Sequence, residues 1–177
     1  LKVFEDIKGR LQSIPIFITQ HMPATFTTIL AEHIAKVSGR NCAEAKDGEE
    51  VKSGHIYLAP GDYHMVPEQQ NGHVVLRVNQ NPPENFCRPA ADPMLRALSK
   101  IYGKQLAAVV LTGMGQDGLE GSKVVVQNGG SVIAQDEATC VVYGMPKAVV
   151  EHHLCKAVLP LPQIGPYLTQ QIEGGRV

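Results

Sequence analysis

The 177-residue sequence lacks three features that would each point to a function directly: a strong net charge, closely spaced cysteines and a long hydrophobic run. Its 16 Lys and Arg against 17 Asp and Glu give a formal charge of -1, which provides no overall field for nucleic acid or an anionic membrane surface. No apolar run approaches the roughly 20 residues of a membrane-spanning helix, and no secretory signal peptide opens the chain. These absences predict a cytoplasmic protein that recognises its partners locally.

The cysteines are too few and too scattered for a metal or redox motif. None of them forms a Cys-x-x-Cys pair, which argues against a zinc knuckle and a dithiol redox centre. We therefore expect buried free thiols, as is usual in a reducing compartment. The four positions are Cys42, Cys87, Cys140 and Cys155.

The length and the pattern of apolar residues predict one α/β domain. With 44% hydrophobic and 19% charged residues, the chain can bury one core but is short for two. Alternating strands and helices predict a three-layer α/β/α fold with a mainly parallel, doubly wound sheet. The predicted strands are 14–20, 107–112, 130–135 and 156–161, and the predicted helices include a stripe over 1–11 and segments 24–39, 117–128 and 144–151.

The middle of the sequence predicts antiparallel hairpins, followed by a helix with clear start and stop signals. Pro60-Gly61-Asp62 and Asn71-Gly72 have the residues of turns in antiparallel hairpins. In the segment after the second turn, Asp92 is positioned as a helix cap, Pro93 as the first helical residue and Gly103 as the stop.

Two polar residues follow strands that should lie in the same sheet. His21 comes after strand 14–20, and Asp117 comes after strand 107–112. Ligands and catalytic groups gather at the carboxyl ends of parallel strands, so these two side chains are expected to face one cleft. Together they form two thirds of a nucleophilic triad, in which the carboxylate orients the imidazole. Each also has a simpler explanation: His21 as a loop residue and Asp117 as the cap of the next helix.

The stretch around Asp117 also contains the letters of a dinucleotide-binding loop. Gly113, Gly115 and Gly118 satisfy G-x-G-x-x-G, and Asp136 follows 18 residues later, where an acid could bind a ribose. However, Asp117 would lie beside the pyrophosphate, and two like charges about 4 Å apart repel by about 4 kcal/mol at an effective dielectric near 20. The carboxylate therefore favours a cationic or proton-donating partner.

Five blocks of the sequence, in order, resemble the catalytic domain of the CheB family of chemotaxis receptor methylesterases. The blocks are ITQHMPATFT, GHIYLAPGDYH, NFCRPAADPM, VVLTGMGQDG and AQDEATCVVYGMP. The resemblance implies hydrolysis of glutamate methyl esters on the cytoplasmic helices of chemoreceptors, and it leaves deamidation of receptor glutamines open as a second activity. It implies no metal or organic cofactor.

The resemblance also assigns site residues. It implies that His21 is the general base, that Asp117 orients it, and that Met114 lends its backbone N–H to the oxyanion. Met114 lies between two glycines, so an accessible N–H is physically reasonable. Arg88 is expected to shape the substrate cleft, with a structural salt bridge as the alternative.

The sequence departs from the family pattern in one respect. The family nucleophile is a serine in a G-x-S-T-G-G turn, which connects an N-terminal strand to the first helix. This sequence is expected to lack both the strand and the turn. The nucleophile is therefore assigned to none of the six serines: Ser13, Ser38, Ser53, Ser99, Ser122 and Ser131.

Two matters stay open at the level of sequence. Family members commonly carry a phosphorylatable receiver domain on the amino side, and the sequence does not tell whether it, or a fused methyltransferase, belongs to this protein. A binding module that kept the fold and lost the chemistry, docking to receptors or to a nucleotide, is the alternative to an enzyme.

Overall fold

The computed structural model describes residues 1–175, and its strands and helices alternate along most of the chain. The strands are β1 Ile16–Ile18, β2 Cys42–Glu44, β3 Ile56–Leu58, β4 His64–Gln70, β5 His73–Asn79, β6 Ala107–Val110, β7 Ser131–Gln135 and β8 Ala157–Leu159. The α-helices are α1 Lys2–Asp6, α2 Ala24–Ser38, α3 Ala91–Tyr102, α4 Leu119–Gln127, α5 Met145–Glu151 and α6 Leu161–Glu173. A short 3₁₀ helix, Gly103–Gln105, follows α3.

The strands form two parallel groups and one antiparallel hairpin. The first group has the order β1-β3-β2, and the second has the order β6-β7-β8. All neighbours within these two groups are parallel, whereas β4 and β5 pair antiparallel. The sequence predicted one sheet, but β1 and β6 are not hydrogen-bonded to each other within the described chain.

Side-chain alternation places helices on both faces of the β6-β7-β8 group. Val132 and Ala134 point into a core with α3, α4 and α5, while Ile133 points into a second core with α1 and α6. Successive residues of a strand face opposite sides, so both faces of this group are buried. The group β1-β3-β2 is covered in the same way, by α2 on one face and by α3 with the hairpin on the other.

The glycine stop signals predicted for α2 and α3 are confirmed. Gly39 ends α2 with φ 68°, and Gly103 follows α3 with φ 51°. A glycine reaches this left-handed region without a Cβ clash. Helix α1 is shorter than the helix predicted over residues 1–11. Helix α6 was not predicted, because three prolines, one of them Pro166 inside the helix, break its apolar pattern.

One of the two predicted hairpin turns is confirmed. Asn71 and Gly72, with φ 51° and 83°, connect β4 to β5 as in a type I′ turn. The Pro60-Gly61-Asp62 prediction was wrong, because β3 before it pairs in parallel with β1 and β2. Gly61 instead allows a close approach: a Cβ there would lie 2.2 Å from the Ala24 backbone nitrogen.

All four cysteines are free thiols, although only Cys42 is buried as predicted. The other three are partly exposed because they lie on loops. No helix within residues 1–175 has both the length and the apolar character to cross a membrane.

Candidate active site

His21 and Asp117 meet at the carboxyl ends of the two parallel groups. His21 follows β1 and precedes α2, and Asp117 follows β6 and precedes α4. The His21 Nε2 and Asp117 Oδ2 atoms lie 2.6 Å apart. The Asp117 side chain is 1% exposed and that of His21 is 26% exposed, so the pair has a buried end and an accessible end.

Three further donors fix the Asp117 carboxylate. Its Oδ2 atom accepts from the Ala91 N–H at 2.6 Å, and its Oδ1 atom accepts from the Asp92 N–H at 3.0 Å. The Asn85 side-chain amide donates to Oδ1 at 3.3 Å. A carboxylate with four donors has little freedom to rotate, so it presents one defined oxygen to the imidazole.

These contacts also decide the charge of Asp117. Burial alone would raise its pKa, but the hydrogen bonds from His21, Ala91 and Asp92 together outweigh burial and lower the pKa below its ordinary value. Asp117 is therefore a carboxylate at neutral pH, and the His21 Nε2–H donates to it.

The orientation of the His21 ring selects its basic atom. Nε2 carries the proton that Asp117 accepts, so Nδ1 is the nitrogen with a lone pair available. In the serine protease arrangement the nitrogens have the opposite roles, with Nδ1 toward the aspartate. The ring still provides one nitrogen for orientation and the other for proton transfer.

Asp92 and Asp117 do not cap the helices for which the sequence proposed them. The N-cap of α3 is Ala90, and the N-cap of α4 is Gly118, with φ 94°. Asp92 instead accepts from the Gly121 N–H at 2.7 Å, in the first turn of α4. Asp117 accepts from the first two N–H groups of α3, so each acid caps the other helix.

Met114 lies in the glycine-rich loop that leads from β6 to Asp117. Its side chain is exposed, and within residues 1–175 its N–H donates no hydrogen bond. The loop is held by Gly113, whose N–H donates to Val142 O at 3.0 Å and whose carbonyl accepts from the Met145 N–H at 2.8 Å. This N–H is thus available on a fixed backbone.

Arg88 forms the salt bridge that the sequence left as an alternative. Its Nε and Nη2 atoms lie 3.0 and 2.7 Å from Asp62 Oδ1, and its Nη1 donates to the carbonyls of Gln80 and Asn81. Arg88 therefore ties together the loops around the site and leaves little donor capacity for a ligand.

A cleft of about 430 Å³ opens beside His21. Its wall includes Arg88, Asp62 and the fully exposed Phe86. Cys87 also lines it, but burial, followed by the charge of Asp117, raises the pKa of this thiol, which disfavours a thiolate nucleophile. The lining residues are His21, Met22, Pro23, Ala24, Asp62, Phe86, Cys87, Arg88 and Pro89.

The serines, Asp136 and the possible metal ligands bear on other functions that the site could have. No serine of residues 1–175 hydrogen-bonds to His21, and Ser38, Ser99 and Ser122 are buried on helices. Asp136, the ribose candidate of the dinucleotide hypothesis, accepts from the Thr139 N–H and hydroxyl at 3.0 and 2.6 Å. No group of three or more His, Cys, Asp or Glu in the described chain is arranged to hold a metal ion.

Sequence reasoning missed Asn85 as a site residue. Asn85 lies in the loop between the hairpin and α3, with φ 51°, and a polar residue in a proline-rich loop carries no distinctive pattern. Its position inside the block NFCRPAADPM was the one available signal.

Comparison with known proteins identifies the family. A family model described as CheB methylesterase matches residues 1–168. The crystal structure of the Thermotoga maritima CheB methylesterase catalytic domain superposes with a TM-score of 0.91 at 41% identity, covering 96% of this chain and 89% of that one. The similarity confirms the predicted fold class.

Two curated relatives have the name protein-glutamate methylesterase/protein-glutamine glutaminase 1. The protein from Paramagnetospirillum magneticum is 61% identical over 154 residues, which cover 87% of this chain and 40% of that protein. The protein from Rhodospirillum rubrum is 58% identical over 167 residues, which cover 94% and 43%. The chain thus spans about two fifths of these relatives. On these matches, it belongs to the CheB methylesterase family.

Proposed function

We propose that the chain is the catalytic domain of a protein-glutamate methylesterase, which acts in the cytoplasm on glutamate methyl esters of chemotaxis receptors during adaptation. The observation that carries the proposal is the contact of 2.6 Å between His21 Nε2 and the buried Asp117 Oδ2. An ionised aspartate at this position holds the tautomer in which Nδ1 can accept a proton. The names of the two relatives support the ester of glutamate as substrate.

The proposed reaction is acyl transfer through a serine. His21 Nδ1 accepts the proton of the serine hydroxyl as the oxygen attacks the ester carbonyl, and the Met114 N–H with a second backbone donor binds the oxyanion. His21 then returns the proton to the methoxy oxygen, methanol leaves, and water repeats both steps on the acyl-enzyme. On a glutamine side chain the same steps release ammonia, so deamidation is part of the proposal.

The serine is proposed to come from outside these 177 residues. None of the six serines, all of which lie within residues 1–175, hydrogen-bonds to His21. Loss of the nucleophile in well-studied triads costs on the order of 10⁶ in turnover, so we expect the 177-residue polypeptide alone to be nearly inert. The proposal includes a phosphorylatable receiver domain on the amino side as a partner, for which the greater length of the relatives leaves room.

The test is methanol release from methylated receptor by the natural full-length polypeptide. We expect His21→Ala to lower kcat by about 10⁶ and Asp117→Asn by about 10⁴, because the base or its correct tautomer is lost. His33→Ala changes an exposed histidine of α2 and should leave the rate unchanged. Wild-type rates in either site variant would contradict the proposed triad.

A wild-type protein without esterase activity would favour the binding module. In that case receptor binding, measured by cosedimentation with receptor-containing membranes, should persist in both site variants. Micromolar binding of a reduced dinucleotide, followed by its fluorescence, would instead overturn the interpretation of Asp117.

A further inference from the structure

The Asn85 side chain lies between two buried carboxylates. Its Nδ2 atom is 2.9 Å from Asp92 Oδ2 and 3.3 Å from Asp117 Oδ1. Both aspartates are almost completely buried, at 2% and 1% exposure. An amide group with two donor hydrogens can serve both acids at once, and it thereby fixes their separation.

Asp92 connects Asp117 to both helices of the site. Its N–H donates to Asp117 Oδ1, and its own Oδ1 caps the first turn of α4, the helix that begins just after Asp117. Gly121 makes this contact possible, since a Cβ there would lie 2.6 Å from the Leu95 Cβ. The close packing of α3 on α4 and the hydrogen bonds of Asp92 therefore set the backbone on both sides of the carboxylate.

Neither residue lines the cleft beside His21, and Asp92 is buried, whereas Asn85 is exposed at the loop that carries Phe86. Their polar atoms are directed at Asp117 and at α4. The hydrogen bonds of both residues therefore point to a role through the orientation of Asp117, and the split between kcat and KM distinguishes it from direct contact with a substrate.

We propose that Asn85 and Asp92 are positioning residues of the esterase site, which hold the Asp117 carboxylate in line with the His21 Nε2–H. This inference rests on the proposed function. The bond from Asn85 is one of four that hold the charged carboxylate, so losing it should lower kcat on the order of tenfold.

The principal variant is Asn85→Gly in the natural full-length polypeptide. Glycine accepts the φ of 51° and removes the amide group, so the backbone change is small. We expect kcat to fall by about tenfold or more with KM unchanged. Asn71→Gly is the matched control, because Asn71 has the same φ but lies in the hairpin turn, and it should leave kcat unchanged.

Asp92→Asn is the second variant. Its side-chain oxygen can still accept the Gly121 N–H, but its NH₂ group then faces the NH₂ group of Asn85. Asn85 cannot turn over without directing its oxygen at Asp117. We expect the same fall in kcat, with thermal unfolding near that of the wild type.

Proton NMR separates this inference from the proposed function. The His21 Nε2–H signal, assigned by its disappearance in His21→Ala, reports the bond to Asp117 without turnover. In Asn85→Gly and Asp92→Asn we expect it to shift and to exchange faster with water, even if the wild type proved to have no esterase activity. An unchanged signal together with unchanged kcat, or a fall in thermal stability alone, would overturn the positioning role.

Discussion

Asp92 and Asp117 cap each other's helices: Asp117 accepts the N–H groups of Ala91 and Asp92 at the start of α3, and Asp92 accepts the Gly121 N–H at the start of α4. Helix N-termini carry partial positive charge, which favours the ionised form of an acid, although at Asp92 burial dominates and raises the pKa. These reciprocal hydrogen bonds join α3 and α4 next to Asp117. The position of the Asp117 carboxylate therefore depends on how the two helices pack.

The two acids should affect stability with opposite pH dependence. The folded-state pKa of Asp117 is lowered, so its stabilising contribution is present above the unfolded value of about 3.9 and is lost as the pH falls through the folded pKa. Burial, opposed in part by the Gly121 N–H, raises the pKa of Asp92, so its contribution is present below about pH 3.9 and is lost as the pH rises through the folded pKa.

Urea unfolding between pH 3 and pH 8 measures this difference. We expect Asp117→Asn to lower the free energy of unfolding by about 3 kcal/mol at pH 7. The difference in free energy of unfolding from the wild type should become smaller as the pH falls toward 3. For Asp92→Asn, stability relative to wild type should instead improve as the pH rises. Parallel curves for the two variants would contradict the assigned pKa directions.

Substitutions of Met114 distinguish its N–H from its side chain. Met114→Ala keeps the N–H and should retain kcat within a few-fold. Met114→Pro removes the N–H and should lower kcat by about 10²–10³, the usual effect of losing one oxyanion donor. Methanol release, with circular dichroism to confirm folding, decides the matter, and equal rates for the two variants would exclude the proposed donor.

Gly144 should be required for the position of the Met114 loop. A Cβ at Gly144 would lie 2.7 Å from the Gly113 carbonyl oxygen and 3.0 Å from the Gly115 nitrogen, so the loop would have to move. We expect Gly144→Ala to lower kcat about tenfold or more, because small displacements of catalytic groups have large effects. Gly9→Ala is the control: its Cβ would meet nothing within 4 Å, and the backbone strain from its φ of 75° falls after α1 rather than in the Met114 loop. An equal loss there would show that the effect is not local.

Arg88 should affect substrate binding more than chemistry. A lysine cannot reproduce the contacts of Arg88 with Asp62 and with the carbonyls of Gln80 and Asn81. We therefore expect Arg88→Lys to raise KM several-fold with kcat within about twofold. Arg77→Lys, which alters the exposed ion pair with Glu68 on the hairpin, should change neither constant. A fall in kcat without a change in KM would argue against a role in shaping the cleft.

The sequence predicted the parts of the site that depend on local pattern. His21 and Asp117 were chosen as candidates because each follows a strand and the carboxyl ends of parallel strands share one edge, and their side chains do meet. The turn at Asn71 and Gly72 and the glycine stops of α2 and α3 could be predicted because short-range backbone sterics determine them.

The parts that were missed depend on contacts distant in sequence. Asp92 was interpreted as a cap of its own helix, whereas the close approach at Gly121 carries it to α4. The three residues of β2 are too few for a periodic signal. The separation of the parallel strands into two hydrogen-bonded groups is likewise a property of the assembled fold.

Under the proposed mechanism, the orientation of the His21 imidazole decides where proton transfer takes place. Nδ1 is the ring nitrogen nearer the Cβ atom, so proton transfer takes place close to the main chain after β1 rather than at the tip of the ring. A scissile ester would therefore have to approach the Cβ side of the imidazole rather than its tip. We expect this position to select by length, so that glutamyl esters are hydrolysed faster than aspartyl esters, which are one methylene shorter.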